Sequence, residues 1–163
     1  MSSFTGEIIL KKIGSRIWEV YTPFEYHIGS EDSNDIITIP KGMSTDFASV
    51  PRLLWAILPP DGQYTAATIV HDFLYFMNGI KIAIQSGSRM IYIKEKYPFL
   101  LGYKIKDFKF RKRSECDRIF LEAMQVLEVP WWKRKVMYAA VRAGGWIPWN
   151  NYSYKQEKQK EKS

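Results

Sequence analysis

The sequence has little cysteine, glycine and proline, and it has no long apolar run. Its single cysteine, Cys116, excludes a disulfide framework and a multi-cysteine zinc site. Ten glycines and eight prolines in 163 residues exclude a collagen-like or low-complexity chain. The apolar stretch Leu53–Leu58 is followed by two prolines, far short of the roughly 18 residues that span a membrane. The opening residues lack the basic and apolar regions of a signal peptide, so we expect a soluble intracellular protein.

The chain has enough hydrophobic residues to form a core. Hydrophobic residues make up 46% of it and aromatic residues 15%, which excludes disorder as its main state. The length fits one domain, which we place at residues 1–152. Residues 153–163 are polar and rich in lysine, and we expect them to form a flexible tail.

The net charge of +7 is concentrated in one stretch. Residues 94–113 hold eight Lys and Arg against Glu95 and Asp107, whereas the rest of the body is close to neutral. This pattern indicates either a solvated loop or an electrostatic surface for an anionic partner or substrate. The predicted binding surface alternates basic and aromatic residues: Lys104, Lys106, Phe108, Lys109, Phe110 and Arg111.

The first 42 residues favour β-structure. Three runs, Glu7–Lys11, Arg16–Tyr21 and Asp35–Ile39, are predicted strands, and the first two are joined by a hairpin-like connection. Residues 80–112 are predicted to form a basic, protruding excursion. In it, Lys81–Ile84 would pair with Met90–Ile93 as a β-hairpin.

Helical patterns follow the strands. A short helix is predicted to begin near Ser49, and a longer one covers Gln63–Met77 and is ended by Asn78 and Gly79. The clearest helix, Ser114–Leu127, begins with an acidic variant of the capping box, and Pro130 opens another that runs from Trp131 to about residue 143. The fold class is therefore α+β: a small N-terminal antiparallel sheet followed by three to four packed helices.

Ionisable residues have apolar neighbours in three stretches of the sequence: Thr45–Arg52, Val70–Tyr75 and Cys116–Arg118. His71 and Tyr75 are four residues apart and share one face of a helix, with Asp72 beside them. Asp117, at the head of the clearest helix, reaches His71 if the two helices pack antiparallel. A buried carboxylate is unfavourable unless a cation, a metal ion or a hydrogen-bond donor compensates its charge. The candidate catalytic residues are therefore His71, Asp72, Tyr75 and Asp117. The supporting candidates are Asp46, Arg52 and Arg118.

Each of these residues also has a structural interpretation. Asp46 and Asp117 are typical helix-capping residues, and Arg52 and Arg118 could neutralise buried carboxylates. A histidine on a half-apolar helix is more often a core residue than a catalyst. In the functional interpretation, His71 activates water, or Asp72 and Asp46 bind a divalent metal, whose identity the sequence leaves open. Cys116 is expected to be unreactive.

The same motifs resemble an uncharacterised family of small proteins of tailed bacteriophages and prophages. The resembling stretches are Ile39–Gly42, Thr45–Arg52, His71–Tyr75, Cys116–Met124 and Met137–Arg142. The resemblance implies a viral origin and no particular activity. With a viral origin we expect the protein in the host cytoplasm or in the virion, with a host or virion protein as a partner.

A second similarity is to the two-helix core of secretory phospholipases. It implies that His71 activates water, that Asp72 binds calcium, and that Tyr75 and Asp117 hold the histidine. The chain departs from those enzymes in having one cysteine and no glycine-rich calcium loop before His71.

Two functions follow as expectations. The first is a phage-encoded hydrolase that uses His71 with Asp72 and Asp117 to activate water on an ester or a phosphodiester. The alternative is a non-catalytic protein, either a virion component or an inhibitor of a host defence system, that acts through its basic, aromatic-rich excursion. The first requires the side chains of His71, Asp72 and Asp117 to converge on a pocket that solvent can reach, whereas the second requires only a rigid frame.

Overall fold

A computed structural model describes residues 1–14, 17–46, 62–146 and 149. Short strands occupy the N-terminal part of this described chain. Their bounds are β1 Ser3–Thr5, β2 Leu10–Lys12, β3 Trp18–Val20, β4 Phe24–His27, β5 Ile36–Ile39 and β6 Ser44–Thr45.

The strands form two small antiparallel sheets, with orders β1-β4-β5 and β2-β3-β6. In the first sheet, Phe24 pairs with Ile39 and Tyr26 with Ile37, and all four side chains are buried. Successive side chains of a strand point to opposite faces, so this register turns one face of the sheet toward the core.

The predicted antiparallel β-structure is confirmed, although its boundaries differ. β2, β3 and β5 lie within or beside the predicted runs, and β2 pairs with β3 across the predicted connection. Strands β1, β4 and β6 were not predicted. Each has only two to four residues, too few for a clear alternation of polar and apolar positions.

Helices make up most of the rest of the described chain. They are α1 Thr65–Gln85, α2 Met90–Lys96, α3 Arg113–Val126 and α4 Trp131–Gly144, with 3₁₀ turns at Pro98–Leu100 and Ile105–Asp107. α3 lies between α1 and α4 and packs against both. The α+β fold class is thus confirmed, and so are the two helices predicted in the last third of the chain. None of the described helices is long and apolar enough to cross a membrane.

The first long helix does not end where the sequence predicted. α1 continues through Asn78 and Gly79 to Gln85, because Gly79, Ile80 and Ala83 are all buried on its packed face. The packing outweighs the low helix propensity of one glycine, which costs about 1 kcal/mol. The predicted hairpin in this region is therefore wrong: its first half is the last turn of α1, and its second half is helix α2. The short helix predicted near residue 49 lies outside the described residues.

The segment between α1 and α3 contributes to the core. Ile93, Leu100 and Ile105 are buried, and the aromatic rings of the segment pack against the core from its edge. Phe73 of α1, for example, meets the rings of Tyr103 and Phe108 edge-on. Five lysines of this segment are exposed outside this apolar base: Lys96, Lys104, Lys106, Lys109 and Lys112.

Candidate functional site

A carboxylate on α3 meets two side chains of α1. His71 and Tyr75 are one helical turn apart on α1, and both face Asp117. The Nε2 atom of His71 is 3.0 Å from Oδ1 of Asp117, and the Tyr75 hydroxyl donates a 2.7 Å hydrogen bond to the same oxygen. The structure thus brings together three of the residues that were predicted from the sequence to share a site.

Two arginines complete the surroundings of Asp117. Nη1 of Arg142, from α4, donates a 2.8 Å hydrogen bond to Oδ2, and Nη1 of Arg113 lies 3.8 Å from the same oxygen. Asp117 is 0% exposed, so water does not solvate its charge and these donors must compensate it. We call His71, Tyr75, Asp117 and Arg142 the Asp117 cluster. It joins α1, α3 and α4.

The hydrogen bonds keep Asp117 ionised. Burial by itself raises the pKa of a carboxyl group, but hydrogen bonds from His71, Tyr75 and Arg142 outweigh burial and bring the pKa of Asp117 below its ordinary value of 3.8. The partners shift accordingly. Burial and the hydrogen bond to Asp117 raise the pKa of Tyr75, and the hydrogen bond to Asp117 raises that of Arg142.

The charge of Asp117 determines which nitrogen of His71 carries the proton. An ionised carboxylate only accepts hydrogen bonds, so Nε2 must be the donor in the 3.0 Å contact. In the neutral ring, Nδ1 is then the basic nitrogen. This arrangement, in which a carboxylate orients an imidazole, is the one that general-base histidines use.

The histidine ring lies deep in the protein. Its centroid is 4.3 Å from that of Tyr75 and 4.8 Å from that of Phe120, and its side chain is 2% exposed. In the described arrangement the ring therefore has almost no contact with bulk solvent.

Asp72 and Asp46 are not part of the Asp117 cluster. Asp72 is half-buried and accepts a 2.5 Å hydrogen bond from the hydroxyl of Thr45, and Asp46 is exposed. Within the described ranges, no three His, Cys, Asp or Glu side chains are grouped as a metal site would require. The binding of a divalent metal by Asp72 and Asp46 therefore stays a prediction.

The capping role considered for Asp117 is wrong. The N-cap of α3 is Lys112, and no side-chain cap bond is formed there, because the Asp117 carboxylate is turned into the helix interface. Arg118 is exposed, and the ion pairs that Asp117 forms within the described residues are with His71, Arg113 and Arg142. Arg52 lies outside the described residues. Neither Arg142 nor Arg113 was singled out from the sequence as a site residue, and the one signal for Arg142 was that it ends an apolar helical stretch.

The predicted basic surface is only partly a surface. Lys104, Lys106 and Lys109 are exposed, whereas Phe108 and Phe110 are half-buried against the core. Arg111 is buried and pairs with Asp35, to which Lys109 also donates a 2.6 Å hydrogen bond. The guanidinium of Arg111 thus ties this segment to the strand region and does not face solvent.

Cys116 sits next to Asp117 but faces the core. It is buried, and burial raises the pKa of its thiol to about 12. The thiolate, which is the reactive form, is therefore scarce at neutral pH, as the sequence analysis expected.

Gly145 lies against the Asp117 cluster and gives a test of its packing. A Cβ atom at this position would be 2.6 Å from the Tyr75 hydroxyl and would also meet the carbonyl oxygen of Val141. We expect Gly145→Ala to lower the free energy of unfolding by about 1–3 kcal/mol, as overpacking does, and to move the Tyr75 hydroxyl away from Asp117. Chemical denaturation measures the loss.

The neighbouring glycine is a matched control. A Cβ atom at Gly144 would meet nothing within 4 Å, so Gly144→Ala should leave stability unchanged or raise it. Equal effects of the two substitutions would contradict this account of Gly145.

The fold and the site define an α+β protein with a carboxylate–histidine pair buried between helices. The chain belongs to the family described as "Protein of unknown function (DUF1353)", whose model matches residues 18–141. An uncharacterized protein, y4jT, of Sinorhizobium fredii (strain NBRC 101917 / NGR234) is 28% identical over 109 residues. These are 66% of this chain and 23% of that protein, so the chain spans less than a quarter of its relative's length. No solved structure matches the chain.

Proposed function

We propose that the protein is a hydrolase whose general base is His71, held by Asp117. The observation that carries the proposal is the 3.0 Å contact between Nε2 of His71 and Oδ1 of Asp117, on a carboxylate that Tyr75 and Arg142 also hold. A carboxylate fixed from three sides orients the imidazole and stabilises the imidazolium that forms when the base accepts a proton.

The reaction is the addition of water to an ester or a phosphodiester. Nδ1 of His71 takes a proton from water while the water oxygen bonds to the carbonyl carbon or the phosphorus. The bond to the leaving alcohol oxygen then breaks, and the proton moves from Nδ1 to that oxygen. The products are an acid and an alcohol, and His71 returns to its neutral form.

The burial of His71 sets a condition on this reaction. With its side chain 2% exposed, the ring meets a substrate only after a neighbouring element moves. Active sites that close over their substrates use such motions, so the proposal requires a second, open arrangement.

We also propose that the protein acts in a bacterial host cell and derives from a tailed phage or prophage. The support is the family resemblance carried by the motifs around Asp46, His71, Asp117 and Arg142. An anionic substrate agrees with the exposed lysines of residues 94–113.

Hydrolysis by the full-length protein tests the proposal. We expect activity on p-nitrophenyl butyrate or bis(p-nitrophenyl) phosphate, and His71→Gln should lower kcat by about 10²–10⁴-fold, the usual share of a general base. Asp117→Asn should lower it too, because the amide no longer holds the required tautomer. The control is His27→Gln, since His27 lies on β4 beside Glu25, away from the Asp117 cluster.

Thermal unfolding of each variant separates loss of chemistry from loss of fold. If folded His71→Gln keeps the activity, or if the wild-type protein cleaves neither substrate, His71 is not a hydrolytic base.

The second candidate function is the non-catalytic one. The observation that favours it is that Asp117 is fully buried with its charge answered by Arg142, which is how a structural ion pair is built. In that case the Asp117 cluster holds three helices together, and the exposed Lys104, Lys106 and Lys109 contact a host or virion partner. A folded His71→Gln protein that keeps its biological effect would favour this candidate.

A further inference from the structure

Helix α4 has one packed face and one open face. Met137 and Val141 are buried toward the core. The opposite side, which we call the α4 outer face, consists of the exposed residues Trp131, Trp132, Lys135, Val136, Ala139 and Ala143. Trp131 is 65% exposed and Trp132 41%, which is unusual for the largest apolar side chain.

The apolar residues of this face form a continuous stripe. Trp132, Val136, Ala139 and Ala143 follow each other at intervals of four, three and four residues, so they line up along one side of the helix. Just beyond the end of the helix, Trp146 is 55% exposed. A stripe of this kind, with indoles at or near both ends, marks a surface that interacts with something apolar.

The charge of α4 has a single sign. The helix contains Lys133, Arg134, Lys135 and Arg142 and no acidic residue. The ammonium groups of Lys133 and Lys135 lie 5.5 Å from the ring centres of Trp132 and Trp131, respectively. Tryptophan and lysine side chains are therefore interleaved on the same helix surface.

We propose that the α4 outer face binds the surface of an anionic lipid bilayer. Indoles prefer the boundary between headgroups and acyl chains, and basic residues bind lipid phosphates. The stripe from Trp132 to Ala143 would lie at that boundary with the helix parallel to the membrane plane. This inference is independent of the hydrolase proposal.

Other occupants fit the face less well. A second copy of the chain would bring two basic helices together, which like-charge repulsion disfavours. A nucleic acid offers phosphates and bases for the tryptophans, but Val136, Ala139 and Ala143 gain nothing from a phosphate backbone. A bilayer satisfies the charge and the aliphatic stripe together.

Vesicle binding by the full-length protein tests the proposal. We expect the protein to co-sediment with vesicles of equal phosphatidylcholine and phosphatidylglycerol, and not with vesicles of phosphatidylcholine alone. Lys135→Glu replaces a positive charge by a negative one and should weaken the partition at least about tenfold. Trp132→Ser should weaken it by a similar factor through the lost interfacial indole.

Matched substitutions elsewhere test whether binding depends on this face or on charge and hydrophobicity anywhere on the surface. Lys11→Glu makes the same charge change at an exposed site on β2, and Tyr92→Ser removes another exposed ring, so both should bind like wild type. All variants change exposed residues, and thermal unfolding confirms that they fold. The proposal is overturned if Lys11→Glu lowers binding as much as Lys135→Glu, if the wild-type protein does not bind anionic vesicles, or if it binds a single-stranded oligonucleotide instead.

Discussion

Replacing Asp117 with alanine is expected to lower the free energy of unfolding by about 2–5 kcal/mol at neutral pH, because two buried hydrogen-bond donors lose their acceptor at about 1–3 kcal/mol each. The carboxylate joins α1 to α4 through His71, Tyr75 and Arg142, and alanine leaves the first two as buried polar groups without this acceptor. Urea denaturation followed by circular dichroism measures the change.

The residue next to Asp117 is the control for this prediction. Arg118 is on the same helix but exposed, so Arg118→Ala should change stability by no more than about 0.5 kcal/mol. A loss below about 1 kcal/mol for Asp117→Ala would mean that the buried carboxylate contributes little to the fold.

The lowered pKa of Asp117 also predicts a pH dependence. A carboxyl group whose pKa is lower in the folded than in the unfolded protein stabilises the fold at pH values above the unfolded pKa, here about 3.8. That contribution is lost as the pH falls from 3.8 through the folded pKa. The difference in unfolding free energy between wild type and Asp117→Asn should therefore be constant just above pH 3.8 and shrink as the pH falls below 3.8.

Replacing Phe120 with alanine is expected to cost about 3–5 kcal/mol, for a different reason. Phe120 is completely buried on α3, and its ring centre is 4.8 Å from that of His71. Alanine leaves a cavity beside the imidazole, so packing is lost and the ring of His71 gains room to turn. Denaturation measures the first effect, and the line width of the His71 imidazole signals in NMR spectra measures the second.

Two variants bracket the Phe120 prediction. Phe120→Leu keeps most of the side-chain volume and should lose clearly less stability than Phe120→Ala. Phe110→Ala removes a half-buried ring at the edge of the core and serves as the comparison. If Phe120→Ala is no more destabilising than Phe110→Ala, the packing around His71 is looser than the ring distances indicate.

The helices could be predicted from sequence where their apolar spacing is unambiguous. α3 was, because Ile119, Phe120 and Ala123 recur with the helical period, and α4 was, because Pro130 marks its beginning. The end of α1 was not predicted. A local Asn-Gly signal was overridden by the burial of Gly79 and Ile80 against residues distant in sequence.

The candidate site was predictable in part, because helical spacing also relates two of its residues. The spacing of His71 and Tyr75 places them on one side of a helix whatever the tertiary structure is. Asp72, one residue away, was assigned to the same site, but a helix rotates by about 100° per residue, and its carboxylate meets Thr45 instead. Arg142 could not be assigned, since nothing local relates α4 to Asp117.

The sequence by itself determined the α+β class, the two last helices and the shared face of His71 and Tyr75, because these depend on periodicity within a short stretch of chain. Only the tertiary structure decided that Asp117 is paired with Arg142 rather than capping its helix. It also decided that Arg111 is buried on Asp35 and that the tryptophans of α4 face outward. Such partners lie on different elements, and their contact depends on how those elements pack, which local patterns do not encode.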